Sequence, residues 1–246
     1  MIDPASAYDE IHQRMSSLVS SLSTEQLSLH APACPEWTTQ DVVAHHTAVV
    51  ADLAAGSLTE LGSLSRLVGQ NANPEVARDR DTMTARQVTE RRGRTIEAVL
   101  AEWSDATARV MPMLRGEVPF PESVGPVGAF IAVNDVVVHE GDVHEALGLD
   151  YPAEVPATSL ALAGYGFSLE QRIRDAGLPA IAFAYDGKTK SLGDGEAAAT
   201  VSSDRTTLVR MLASRLTADQ IRAMDWQGDP SPYLEVIPEY GPAHPG

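Results

Sequence analysis

The chain has 246 residues, 43% of them apolar and 21% charged, which is enough to build a buried core of one large domain or two modest ones. A formal net charge of -16 repels nucleic acid and anionic membrane surfaces, so neither is expected as a partner. The single cysteine, Cys34, cannot form an internal disulfide. No stretch approaches the roughly 18 apolar residues of a membrane span. Met1-Ile2-Asp3-Pro4 lacks the basic start and apolar run of a signal peptide, and a cytoplasmic location is expected.

In chain order, Ile11, Met15, Leu18 and Leu22 recur at helical spacing and predict a first helix over 6–22. A breaker-rich stretch, Pro32 to Trp37, follows. Thr38 or Thr39 can cap a second helix over 39–55, with Val42, Val49 and Leu53 as its stripe. Residues 56–80 are less regular, and Asn71, Asn73 and Pro74 mark a loop there. A long third helix is expected over 82–114, carrying Val88, Ile96, Val99, Leu100 and Trp103. Three prolines in 116–126 make a connection. A fourth helix is expected over 128–147, stopped by Gly148.

A fifth helix is expected over 158–176. Then the pattern changes. Ala180 to Tyr185 is a short apolar run ending in the turn signal Asp186-Gly187. Ala197 to Val201 reads as a second strand, and 206–216 and 218–224 as helices. The expected fold class is α+β, mainly helical. A four-helix bundle over 1–150 precedes a small α/β domain over 151–246, with the boundary near 149–155.

The fourth helix carries the chemistry. Phe130, Val133, Val136, Val137, Val143 and Leu147 share a broad apolar face, and Ile131, Ala132, Val138 and Ala146 extend it, so the helix should be buried. Asp135, His139 and Asp142 nevertheless lie on one face at i, i+4 and i+7. A buried carboxylate is costly unless it is paired or bound to a metal. Residues at i and i+4 lie close enough to share one ion. The same spacing suits an internal ion pair with no metal, and spacing alone leaves both open. A third ligand must come from another helix. The second helix offers His45 and His46; periodicity leans towards His46, which lies nearer the centre of the apolar stripe.

These residues match a family. Trp37 to His45 resembles the Trp-x7-His signature of DinB-like, mycothiol-dependent maleylpyruvate isomerase family proteins, with Cys34-Pro35 as its usual lead-in. Asp135 to Asp142 resembles the same family's acidic-x3-His-x2-Asp signature, and Gln220 to Pro230 its C-terminal segment. The resemblance implies a DinB-like bundle and a divalent metal held by His45, Asp135 and His139. It thus selects His45 over His46. The acidic ligand is Glu in some members and Asp here. Two histidines and one carboxylate leave coordination positions open; zinc is the default metal, though iron, nickel or manganese would also suit the set.

Asp142 could orient His139 or serve as a plain salt bridge. Cys34 precedes the second helix, whose N-terminus could lower a thiol's pKa, or it is a buried structural cysteine. Arg91, Arg92 and Arg94 cluster where the family often has arginine. One of them, Arg91 first, could hold a carboxylate of cofactor or substrate, or the cluster is a solvated basic face. The resemblance implies mycothiol as thiol cosubstrate and a transferase or isomerase acting on a small electrophile. A metal-dependent hydrolase and a non-catalytic binding protein on the same fold are the alternatives. Trp226, Asp229 and Tyr233 resemble family positions and are expected to pack the tail.

Overall fold

The computed structural model describes residues 2–58, 69–71, 73–151 and 155–241. Helix α1 (Pro4–Ser20) begins at Asp3, whose carboxylate accepts from the Ala5 and Ser6 amides, with proline at the first helical position. Tyr8, Ile11, Met15 and Val19 form its buried face. After a short helix α2 (Thr24–Leu27), strands β1 (His30–Ala31) and β2 (Cys34–Thr38) make a small antiparallel ribbon from the breaker-rich stretch.

Helix α3 (Thr39–Ala55) starts with a capping box between Thr38 and Asp41 and ends at Gly56, whose φ of 70° is the left-handed cap that glycine adopts without strain. Helix α4 spans Pro74–Thr89 and α5 spans Ile96–Leu114. The expected single helix over 82–114 is therefore two. The chain turns between them at Gly93 (φ 83°), and the Thr95 side chain restarts the helix by accepting from the Ala98 amide. The predicted loop marker Asn73 is the N-cap of α4; of the irregular stretch, 59–68 and 72 lie outside the described residues.

Helix α6 (Gly128–Ala146) matches its expected span within a residue at its C-terminal end and is buried along most of its length. Phe130 departs from the expected apolar face: it is 47% exposed near the start of the helix. Helices α1, α3, α5 and α6 pack mutually, with α3 between α5 and α6, and this four-helix arrangement sets the site.

Helix α7 (Pro156–Asp175) packs on α6 and on α8 (Arg205–Leu212). Beside them lies a four-stranded sheet in the order β4-β3-β5-β6, from β3 (Ala180–Tyr185), β4 (Lys188–Leu192), β5 (Ala197–Ser202) and β6 (Asp225–Gln227). Strands β3 and β5 run parallel; the other pairs are antiparallel. Asp186 and Gly187, both at positive φ, form the two-residue hairpin turn the sequence announced. The edge strand β4 exposes Lys188 and Lys190, charges that discourage pairing with another chain. Helix α9 (Ala218–Arg222) precedes β6. One continuous apolar cluster runs from Tyr8 of α1 through the bundle to Phe183, Leu212 and Ile237. No helix among the described residues is long and apolar enough to cross a membrane.

Candidate metal centre

Helices α3 and α6 lie side by side, and each brings polar groups to an otherwise apolar seam. His45 Nε2 and His139 Nε2 stand 3.6 and 3.5 Å from the same oxygen, Asp135 Oδ1. Those separations are long for N–H···O hydrogen bonds. They match the edge of a tetrahedron of zinc ligands, about 3.4 Å for bonds of about 2.1 Å. The three donor atoms all lie within 4.8 Å of one another. His45 Nδ1 is buried without a hydrogen-bond partner, so Nε2 is the atom through which this imidazole meets its neighbours. The donor set and its spacing fit a divalent cation. Trp37 covers one side, its ring 4.8 Å from that of His45 and 6.3 Å from that of His139.

Both oxygens of Asp135 are engaged. Oδ2 lies 2.5 Å from His46 Nδ1. Adjacent positions on a helix point about 100° apart, so His45 and His46 address different oxygens of one carboxylate. His46 is fully buried and points into the core, where its Nε2 is 3.3 Å from the Tyr8 hydroxyl. Trp103 Nε1 donates to that hydroxyl at 2.8 Å.

His139 is also held from behind. Its Nδ1 lies 2.9 Å from Asp142 Oδ2. Asp142 is wholly buried and takes two donors from Arg215, Nε at 3.1 Å to Oδ1 and a terminal nitrogen at 2.7 Å to Oδ2. Asp142 thus does both things that its spacing allowed: it bonds His139 and it forms a salt bridge. Arg215 follows a turn at Ser214, a non-glycine residue in the left-handed region (φ 61°). The same guanidinium reaches Cys34 Sγ at 3.7 Å.

The charges follow from these contacts. Burial alone would raise the Asp135 pKa, but the neighbouring His139 charge, with His45 and the His46 hydrogen bond beside it, holds it well below the carboxylate range. Burial disfavours a charged His139, yet Asp135 and Asp142 outweigh it and lift that imidazole to about 9. His45 and His46 go the other way, because burial dominates and favours their neutral forms. Burial opposes the Asp142 charge too, but Arg215 and His139 overcome it and lower its pKa. A buried anion flanked by neutral imidazole nitrogen is an environment that attracts a cation, and a cation would displace the proton from His139.

The arginine cluster is satisfied within the chain. Arg91 donates to both oxygens of Glu102, at 3.2 and 2.5 Å, and to the Gln87 carbonyl. Arg94 also reaches Glu102, and Arg92 pairs with Asp41. Arg91 and Arg92 line a groove of about 200 Å³ with Thr38, Gln40 and Asp41 at the start of α3. The guanidinium expected to meet a cofactor or substrate carboxylate is occupied by Glu102. Cys34 is half-buried, and burial pushes its thiol up to about 11, opposite to the lowering a helix N-terminus would give. In the tail, Trp226 Nε1 donates to the Ile221 carbonyl, Tyr233 to the Pro179 and Ala180 carbonyls, and Asp229 accepts from the Ser231 amide, so all three pack or cap.

No sequence signal pointed to Arg215, which is 73 positions from Asp142. Trp103 was legible as an apolar anchor, though not as a donor into the site.

Residues 8–144, more than half of the chain, match the family described as the mycothiol maleylpyruvate isomerase N-terminal domain. The chain belongs to this family. The match runs from within α1 to the last turn of α6 and takes in every residue that converges on Asp135; Arg215 lies outside it. Two solved structures share the fold. The mycothiol-dependent maleylpyruvate isomerase is 15% identical with a TM-score of 0.53, and a histidine-to-alanine mutant of that enzyme is 14% identical with a TM-score of 0.54. Each comparison covers 86% of this chain and 88% of the other. No curated protein matches the chain.

Proposed function

We propose that this family member is a metal-dependent enzyme that uses a low-molecular-weight thiol, mycothiol, to isomerise or modify a small electrophile. The observation that carries the reading is the convergence of His45 Nε2, Asp135 Oδ1 and His139 Nε2 within 4.8 Å. These residues would hold a divalent metal, zinc by default, and residues 1–150 would form the metal-binding bundle with 151–246 as a smaller α/β unit. A cation there supplies one thing: it makes thiolate the stable form of a thiol that is mostly protonated at neutral pH.

The chain's own groups do the rest. His139 is kept with Nε2 towards Asp135 because Asp142 holds its Nδ1. Asp142 is kept ionised by Arg215. Trp37 shields His45 and His139 on one side. The Cys34 thiol, pushed up to about 11, is a poor nucleophile, which leaves the nucleophile's role to an external thiol. Thiolate addition to one carbon of a double bond, rotation, and departure of the same thiolate would give isomerisation. Displacement of a leaving group would give transfer. The fold likeness to the mycothiol-dependent maleylpyruvate isomerase supports the first outcome.

The deciding experiment pairs metal analysis of the purified protein with turnover assays in the presence and absence of mycothiol. Bound metal in the wild type, with loss of both metal and thiol-dependent turnover in His139→Ala, is expected. Full activity in a metal-free variant would overturn the reading, and turnover with no thiol would convert it into a hydrolase.

A further inference from the structure

Asp135 offers two oxygens, and the structure gives each a separate neighbour. Oδ1 faces the two imidazole nitrogens of His45 and His139, whereas Oδ2 is taken by His46 Nδ1 at 2.5 Å. The direction of this second contact follows from the groups behind it. Trp103 Nε1 can only donate, and it donates to the Tyr8 oxygen at 2.8 Å. Tyr8 keeps its own proton, since burial raises its pKa well above the usual phenol value. Its nearest remaining partner is His46 Nε2 at 3.3 Å; Thr107 Oγ1 is farther, at 3.5 Å, and can itself donate to Tyr8. An ionised carboxylate only accepts. The consistent chain runs Trp103 N–H to Tyr8 O, Tyr8 O–H to His46 Nε2, and His46 Nδ1–H to Asp135 Oδ2.

We infer that His46 is a positioning residue: the Trp103–Tyr8–His46 chain fixes its tautomer, and its Nδ1–H engages Asp135 Oδ2 so that the carboxylate meets the metal through Oδ1 alone. The inference rests on the metal-binding reading above and adds the denticity of one ligand. An aspartate free to rotate could present both oxygens to a cation and fill a position that a substrate thiol needs. With Oδ2 engaged, three protein donors remain and a coordination position stays open. The surroundings suit the role. His46 is fully buried, its ring lies edge-on to Trp103 at 4.9 Å, and no ring nitrogen is left unpaired.

The test uses the full chain and zinc or cobalt(II) alone. Zinc affinity is measured by competition with a chromophoric chelator, and ligand number by the visible spectrum of the cobalt(II) form. His46→Leu should weaken zinc binding at least tenfold and shift the cobalt spectrum towards a higher coordination number. His46→Asn, whose amide N–H can stand near the Nδ1 position, should restore both. Wild-type affinity with an unchanged cobalt spectrum in His46→Leu would overturn the inference and leave the metal reading intact. A wild-type chain that takes up no metal would overturn both. A measurement free of folding defects is the long-range nitrogen–proton spectrum of the native protein. It should show His46 protonated at Nδ1 and bare at Nε2; the opposite tautomer would put a lone pair against the carboxylate and overturn the inference.

Discussion

Arg215 grips both carboxylate oxygens of Asp142, so a residue beyond α8 reaches back to the helix that carries Asp135 and His139. Asp142 in turn holds His139 Nδ1. Asp142 is wholly buried and Arg215 largely so, and removing the carboxylate leaves the guanidinium without its anion. Asp142→Ala should cost about 3–5 kcal/mol in a urea unfolding experiment, and should weaken metal binding about 10- to 100-fold by freeing the His139 ring. Adding Arg215→Leu to that variant should recover much of the stability and none of the affinity. Metal binding at wild-type strength in Asp142→Ala would refute the positioning of His139 by this carboxylate.

Metal removal should be visible in thermal unfolding. A ligand that binds only the folded state stabilises it by about 2.7 kcal/mol at a free concentration of about 100 Kd. For a chain of this size that is a rise in Tm of about 5–10 °C. Zinc should raise the melting temperature of the wild type and a chelator should reverse it. His45→Ala and His139→Ala should melt at the same temperature with and without zinc. A zinc-induced shift that persists in both variants would place the ion elsewhere.

Gly141 is needed for space rather than for backbone freedom. A Cβ at this position on α6 would fall on the ring of Tyr151, whose hydroxyl donates to the Val137 carbonyl at 2.6 Å. Gly141→Ala should therefore lose about 1–3 kcal/mol through overpacking. Gly141→Ala combined with Tyr151→Ala should lose less than the sum of the two single changes, because the clash is shared. Strict additivity in chemical denaturation would count against it.

Cys34 should be slow to alkylate at neutral pH. Burial pushes its thiol up to about 11, Asp142 adds to the effect, and Arg215 only partly opposes it. A raised pKa means less thiolate at any pH below it. Against an ordinary cysteine of pKa about 8.5, the thiolate fraction at pH 7 falls by a factor on the order of 300. The alkylation rate of the folded protein should climb steadily from pH 7 to beyond 10 without a plateau near 8.5, while the denatured chain plateaus normally. A plateau near 8.5 in the folded state would show that the thiol is not held as described.

Periodicity carried some of these features and missed others. Asp135, His139 and Asp142 were legible because their spacing of four and three residues returns to one face of a helix whose other faces are apolar. His45 and His46 were not separable in that way. Helix α3 is packed against α5 on one side and α6 on another, so both neighbours are buried and the apolar stripe has no clear centre. The break between α4 and α5 was written in Gly93 and Thr95, but the eight-residue step from Val88 to Ile96 keeps the helical period across them and predicts one helix. Strand β4 reads Lys-Thr-Lys-Ser-Leu, with no alternation to detect; pairing with β3 makes it a strand.

The sequence by itself determined the helical bundle, the strand that ends at Asp186-Gly187, and the polar face of α6. Each is a local matter of side-chain period, capping and turn chemistry. The tertiary structure decided which histidine shares Asp135 Oδ1 with His139, what holds the other oxygen, and what pairs with Asp142. Those contacts join positions 90, 89 and 73 residues apart. They depend on how α3 packs against α6 and how the chain turns at Ser214, and no short-range pattern encodes either.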